Sequence, residues 1–278
     1  MDYNLRQILQ KHGFTFKKAF GQNFLTDTAL LEDIVIKSGV TKDDVVLEIG
    51  PGAGALTRVL SDRAKHVVCY EIDTKLKPIL EDVLYGRDNV EVIFKDVLKE
   101  KMSDLEKKLG GKYLVVANLP YYITTPIVMN FLENAKNMKA MVIMVQEEVA
   151  LRFSAKAGSS DYGAITVGIN LKGNAEVVKT VGREMFTPMP NVDSAVVKIT
   201  VDNDKFKGVD FDGVRNAVRI GFSSRRKMLV NNLMNSLKLS RSDAEEILNS
   251  AGIDLKSRGE TLSVEDYIRL SKQIKKHG

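Results

Sequence analysis

At 278 residues, 44% hydrophobic and 28% charged, the chain is too long for one hydrophobic core and too apolar for disorder, so a large folded domain with a smaller companion is expected. A single cysteine, Cys69, and three scattered histidines exclude a disulfide framework and zinc-ligand spacing. The net charge of +5 is uneven, with +2 in residues 1–27, +4 in residues 208–278 and −1 in the rest, which suits a catalytic body whose flanks touch a polyanion. No apolar run is long enough for a membrane span or a signal peptide, so a cytoplasmic protein is expected.

Residues 1–27 read as a basic N-terminal segment in which Lys11, Lys17 and Lys18 either join a polyanion-binding surface or belong to a disordered arm. From residue 42 onward, short β-branched runs alternate with amphipathic stretches. The spacing predicts strands over 43–50, 66–72, 90–95, 112–117, 139–145 and 194–201, with helices near 54–64, 74–85, 125–136 and 147–155. Runs such as Met141-Val142-Ile143-Met144-Val145 are apolar at consecutive positions, as strands covered on both faces must be. The fold class is therefore α/β, a doubly wound, mostly parallel sheet. Polar, turn-rich residues near 201–208 mark a boundary, beyond which apolar residues recur at helical spacing. The expected division is 28–205 for the sheet domain and 206–278 for a small all-α domain.

Four strand ends carry the chemistry. The first runs into Gly50-Pro51-Gly52-Ala53-Gly54, where glycines allow a sharp turn and close approach of a ligand. As a dinucleotide fingerprint this is incomplete. The second ends at Glu71, placed to bind the two hydroxyls of a ribose, and the third at Asp96, placed to accept from an adenine amine. A helix cap or a solvated acid is the plain alternative for each. The fourth ends at Asn118-Leu119-Pro120-Tyr121. A nucleobase amine is a poor nucleophile because its lone pair is delocalised, so a catalyst must hold both N–H groups and aim the lone pair. Asn118 and the Leu119 carbonyl can hold them, Pro120 stiffens the turn, and Tyr121 can stack on an extruded base. In the C-terminal part, Arg215 and Arg219 lie four apart, and Arg225-Arg226-Lys227 follows Phe222 with no intervening acid. This basic segment reads as a phosphate contact, with a solvated helix as the alternative.

These residues, together with Gly21-Gln22-Asn23-Phe24-Leu25, the stretch Phe186-Thr187-Pro188-Met189-Pro190-Asn191-Val192-Asp193-Ser194 and Phe222-Ser223-Ser224-Arg225-Arg226-Lys227, give a chain that resembles the bacterial small-subunit ribosomal RNA adenine N6,N6-dimethyltransferases over nearly its whole length. The resemblance implies a Rossmann-like methyltransferase domain, a helical RNA-binding domain and an N-terminal segment covering the cofactor site. It implies S-adenosylmethionine as methyl donor, no metal, and dimethylation of two adjacent adenosines near the 3′ end of 16S rRNA within the small ribosomal subunit, coupled to subunit biogenesis. The family match carries Asn23 and Leu25 over as residues that close on the cofactor, with Gln22 beside them. It assigns Gly50 and Gly52 to the cofactor loop, Glu71 to the ribose, Asp96 to the adenine and Asn118 to both substrates. Action as a monomer is expected. In-line orientation of amine and methyl can supply up to roughly 7–11 kcal/mol of the barrier, which agrees with the lack of a histidine near any motif.

Three other functions fit part of the sequence. A nicotinamide-dependent oxidoreductase shares the glycine loop and Glu71 but lacks a catalytic Tyr-x-x-x-Lys pair. A large-subunit rRNA methyltransferase of the antibiotic-resistance type shares the core, and the residues from Phe222 to Asn232 favour the small-subunit type over it. A non-enzymatic assembly factor is disfavoured by intact Glu71, Asp96 and Asn118.

Overall fold

The computed structural model describes residues 5–14, 23–25 and 27–277; Lys17, Lys18, Gly21 and Gln22 lie outside them. The chain forms two compact units, residues 1–150 with 175–201 and residues 151–174 with 202–278.

In the first unit the strands are β1 (Phe24–Leu25), β2 (Val45–Ile49), β3 (His66–Glu71), β4 (Val90–Phe94), β5 (Tyr113–Asn118), β6 (Met138–Gln146), β7 (Gly173–Val181), β8 (Phe186–Thr187) and β9 (Ser194–Val201). The helices are α1 (Leu5–Lys11), α2 (Thr28–Ser38), α3 (Ala55–Arg63), α4 (Lys77–Val83), α5 (Met102–Leu109) and α6 (Thr124–Asn134), and α7 (Glu147–Phe153) spans the boundary after residue 150. Seven strands make one sheet in the order β4-β3-β2-β5-β6-β9-β7. Neighbours from β4 to β6 are parallel, and β9 closes antiparallel on β6 with Ser194 opposite Gln146. The apolar strands are buried on both faces, as their consecutive apolar residues require. Leu31, Ile34 and Val35 of α2 and Leu56 and Leu60 of α3 pack with Val46, Val67 and Val116 in one core. Asp27 starts α2 by accepting the Leu30 N–H at 2.9 Å, and Gly39, at φ 78°, ends it in the left-handed conformation.

The order of the sheet locates the site. From β2 the chain winds outward through β3 to β4, then returns to the other side of β2 for β5 and β6. Beyond the carboxyl ends of β2 and β5 a crevice must open, because the connecting loops leave in opposite directions. The six expected strands are present; the seventh, β7, is an added edge. Its Glu176 and Lys179 interrupt the apolar run because an edge strand faces partners on one side only.

The division of the chain differs from a single cut near residue 205, since residues 151–174 leave the sheet unit and return to it. The reason is α8 (Ala164–Lys172), whose Val167 and Leu171 lie in the helical core with Val214, Leu233 and Tyr267. The remaining helices of the second unit are α9 (Phe211–Gly221), α10 (Leu229–Leu237), α11 (Arg241–Ser250) and α12 (Val264–His277). The α/β sheet with a separate helical part is thus as the sequence predicts.

Candidate active site

The glycine loop between β2 and α3 turns through left-handed conformations at Gly50, Gly52 and Gly54. At Gly52 the requirement is double. Its φ is +57°, and a Cβ there would stand 2.8 Å from the Phe24 ring. At Gly50, φ +72°, a Cβ would meet nothing within 4 Å, so that side of the loop faces open space. Phe24 itself packs with Leu9, Ala53 and Leu80 and lies 6.2 Å from the Phe14 ring. β1 is held by its antiparallel pairing with β8, Phe24 opposite Thr187 and Leu25 opposite Phe186.

Glu71, at the end of β3, is buried. Its Oε1 accepts the N–H groups of Ile72 and Asp73, both at 2.8 Å, and its Oε2 accepts the Gly52 N–H at 3.1 Å. The carboxylate therefore ties β3 to the glycine loop and still keeps a free lone pair on Oε2. Burial raises its pKa above the ordinary glutamate value, the three backbone donors oppose that rise, and the nearby Asp73 charge adds to it. Asp96, at the end of β4, caps the short turn after it by accepting the Leu98 N–H at 3.0 Å. The capping alternative thus holds for one of its oxygens, while the residue also faces the crevice.

Asn118 ends β5. Its Nδ2 donates to the Asn23 carbonyl at 3.1 Å, which fixes the carboxamide so that Oδ1 is the end left to accept a further donor. In the turn that follows, the Pro120 carbonyl accepts the Ile123 N–H at 3.1 Å and the Thr124 hydroxyl at 3.3 Å. That carbonyl is committed to starting α6. The Tyr121 hydroxyl lies 2.7 Å from that of Ser194, and burial raises its pKa.

One cavity of about 260 Å³ collects these groups. Asn23, Leu25, Gly50, Gly52, Glu71, Asp96 and the turn Asn118, Leu119, Pro120 and Tyr121 all line it. So do Ile72 and Leu98, two apolar side chains 49% and 37% exposed, which offer flat contacts to a ring beside Asp96. Every cofactor-side and reaction-side residue expected from the sequence is brought together there, apart from Gln22, which lies outside the described residues.

Glu48, which the sequence reading does not single out, also faces the cavity although it is 1% exposed. The signal was an acid inside the otherwise apolar strand Val45-Val46-Leu47-Glu48-Ile49. Burial pushes its pKa up to about 7, against the lowering effect of the Thr57 hydroxyl and the Cys69 thiol, and the Glu71 charge raises it further. The Cys69 thiol donates to Glu48 Oε2 at 3.5 Å. Because the folded pKa exceeds the unfolded value of 4.5, the folded state holds the proton that the unfolded state releases. Stability from this group is complete below pH 4.5 and is lost as the pH rises to about 7. Glu48→Gln is expected to be more stable than wild type at about pH 8, by up to about 3 kcal/mol, with the difference closing toward pH 4.5. Urea unfolding at the two ends of that range checks it.

In the helical unit the basic segment separates into two kinds of residue. Arg225 Nη2 donates to the carbonyls of Ser160 at 2.7 Å and Tyr162 at 3.2 Å, so its head is committed within the unit. Phe222 is stacked on Tyr267 at 6.1 Å and tilted against Tyr162 at 6.2 Å, which makes it part of the aromatic core. Arg215 pairs with Asp212, and Arg219 donates to Asn216 Oδ1 at 2.9 Å. Arg226 and Lys227 are exposed. Buried Asn232 donates from Nδ2 to the carbonyls of Gly221 at 2.8 Å and Ser224 at 3.2 Å, which holds the loop presenting them.

Among known proteins, the chain is 45% identical to the ribosomal RNA small subunit methyltransferase A of Geobacillus thermodenitrificans, over 97% of this chain and 94% of that protein. It is 43% identical to the protein of the same name from Clostridioides difficile, again over 97% and 94%. Among solved structures it resembles a dimethyladenosine transferase from Plasmodium falciparum, with a TM-score of 0.77, 27% identity and coverage of 91% of this chain and 98% of that one. It also resembles the 23S rRNA methyltransferase ErmE, with a TM-score of 0.70, 30% identity and coverage of 91% and 100%. The family model described as ribosomal RNA adenine dimethylase matches residues 13–276, and with the glycine loop, Glu71, Asp96 and the Asn118 turn gathered on one cavity, the chain belongs to that family.

Proposed function

We propose that the protein transfers methyl groups from S-adenosylmethionine to the N6 amines of two adjacent adenosines near the 3′ end of 16S rRNA, two to each. The convergence of a nucleoside-binding edge and the Asn118 turn on one cavity carries this reading. The cavity suits the donor: open space beside Gly50, a spare lone pair on Glu71 Oε2 and the apolar pair Ile72 and Leu98 match a methionine chain, a ribose and an adenine ring. Asn23, Leu25, Gly50, Gly52, Glu71 and Asp96 would hold it. When bound, the donor supplies a sulfonium methyl that is already electrophilic, so the protein's task is to orient the amine.

Asn118 Oδ1 and the Leu119 carbonyl accept the two amine N–H groups and leave the lone pair facing the donor. The Tyr121 ring supports the base from its face. The amine proton becomes acidic only once the new C–N bond has formed, so no strong base is required during transfer. After the first methylation one N–H remains, and one of the two carbonyl acceptors loses its donor. The helical unit, residues 151–174 with 202–278, is read as the RNA-binding part, with substrate in the small subunit and action in the cytoplasm as a monomer. Among the described residues no helix is long and apolar enough to cross a membrane.

Incubation of purified protein with unmethylated small subunits and labelled S-adenosylmethionine, followed by nucleoside analysis, is expected to give N6,N6-dimethyladenosine in 16S rRNA; label in 23S rRNA overturns the assignment. The basic loop makes a second expectation. The pair Arg226→Ala and Lys227→Ala should lower the slope of log affinity against log salt by about two. Arg225→Ala should instead destabilise the helical unit, because two carbonyls lose their donor. Filter binding across a salt series and thermal unfolding separate the two effects.

A further inference from the structure

The geometry points to Ser194 as a positioning residue that sets the orientation of the Tyr121 ring, a role that rests on the functional reading above. The two hydroxyls are 2.7 Å apart. Ser194 is completely buried, opens β9 and stands opposite Gln146 across the antiparallel β6–β9 pair. The residue before it is fixed as well: the Asp193 carbonyl accepts the Glu147 N–H at 3.1 Å, and its Oδ1 accepts the Arg183 N–H at 3.0 Å. The Ser194 hydroxyl is therefore mounted on a constrained part of the sheet. Tyr121 is not, since it sits in the turn after β5 beside Tyr122, which is 57% exposed.

A hydrogen bond between them ties the freer partner to the fixed one. A tyrosine ring has two side-chain torsions, and a bond at its far end restrains both. Phenylalanine would keep the stacking area and lose the restraint. A base resting on the ring takes its tilt from it, and transfer rates fall steeply when reacting atoms are misplaced by even about 1 Å. The same stretch of chain also pairs, through β8, with β1, whose Phe24 and Leu25 line the cavity. Residues 186–194 thus touch two parts of the cavity lining, β1 and Tyr121, from outside the four strand ends.

Ser194→Ala, Tyr121→Phe and the double variant are compared in methyl transfer to unmethylated small ribosomal subunits. Each single variant is expected to lose about two- to tenfold in kcat, the range of one ordinary hydrogen bond. The dissociation constant for S-adenosylmethionine should stay unchanged, and the double variant should be no slower than the slower single one. Losses that multiply in the double variant overturn the proposal, because Ser194 then acts by some route other than the Tyr121 hydroxyl. If Ser194→Ala does not fold, Tyr121→Phe removes the same bond from the other side, and wild-type kcat in that variant overturns the proposal. Wild-type protein that leaves 16S rRNA unlabelled is a different failure, that of the functional reading itself.

Discussion

Asn118→Ala is expected to lower the rate of methyl transfer by about 10²- to 10³-fold while S-adenosylmethionine still binds, the size of effect seen when one pre-aimed polar group is removed from a reaction centre. The carboxamide end of Asn118 that donates is already bonded to the Asn23 carbonyl at 3.1 Å, so its orientation is set before any substrate arrives. Alanine removes the acceptor for the amine and leaves the Asn23 carbonyl without that donor. Asn118→Asp sharpens the test. It keeps an acceptor of the same shape but replaces the N–H facing Asn23 with an oxygen, so two acceptors meet and the side chain must turn. If pre-orientation matters as much as the acceptor itself, aspartate is as slow as alanine. Single-turnover transfer measured beside calorimetry of donor binding decides it; a variant lacking the carboxamide that retains a tenth or more of wild-type rate removes Asn118 from the reaction centre.

Apart from Asn23 and Leu25, which the family resemblance alone pointed to, the parts of this site that were legible in the sequence share one property: each is a strand end in a parallel sheet. Consecutive apolar strands joined by helices must run parallel, and parallel strands bring their carboxyl ends to one edge, so Gly50, Glu71, Asp96 and Asn118 had to meet. What was not legible depends on tertiary packing. Arg225 serves carbonyls of its own unit where the sequence offered phosphates, because a guanidinium suits either acceptor equally well. Phe222 likewise fills a core between Tyr162 and Tyr267. The passage of residues 151–174 into the helical unit was hidden because an apolar helix face does not say which core it joins. Ser194 stood in a quoted motif, but its partner is 73 residues away and spacing gives no hint of the pair.

Glu71→Ala should weaken S-adenosylmethionine binding by about ten- to a hundredfold, since a hydrogen bond to a charged group contributes about 1.5–3 kcal/mol and Oε2 keeps one lone pair for a ribose hydroxyl. It should also unfold more easily, because the N–H groups of Gly52, Ile72 and Asp73 lose their acceptor together. Glutamine is no milder a replacement at this position. Its amide must present an N–H either to Gly52 or to the Ile72 and Asp73 pair, and the donor that faces it is pushed away along with the glycine loop. Acidity adds a further signature. Burial raises the Glu71 pKa, so its protonation begins at a higher pH than in an ordinary glutamate. Protonation weakens the acceptor for the ribose, so donor affinity falls as the pH is lowered through that raised pKa. Stability moves the other way: the folded state holds this proton more tightly than the unfolded state, so the contribution of Glu71 to folding grows over the same interval. Calorimetry and urea unfolding along one pH series should therefore show affinity and stability diverging in wild type. The Glu71 part of that divergence should vanish in Glu71→Ala; an alanine variant with wild-type affinity and an unaltered pH profile would remove Glu71 from the donor site.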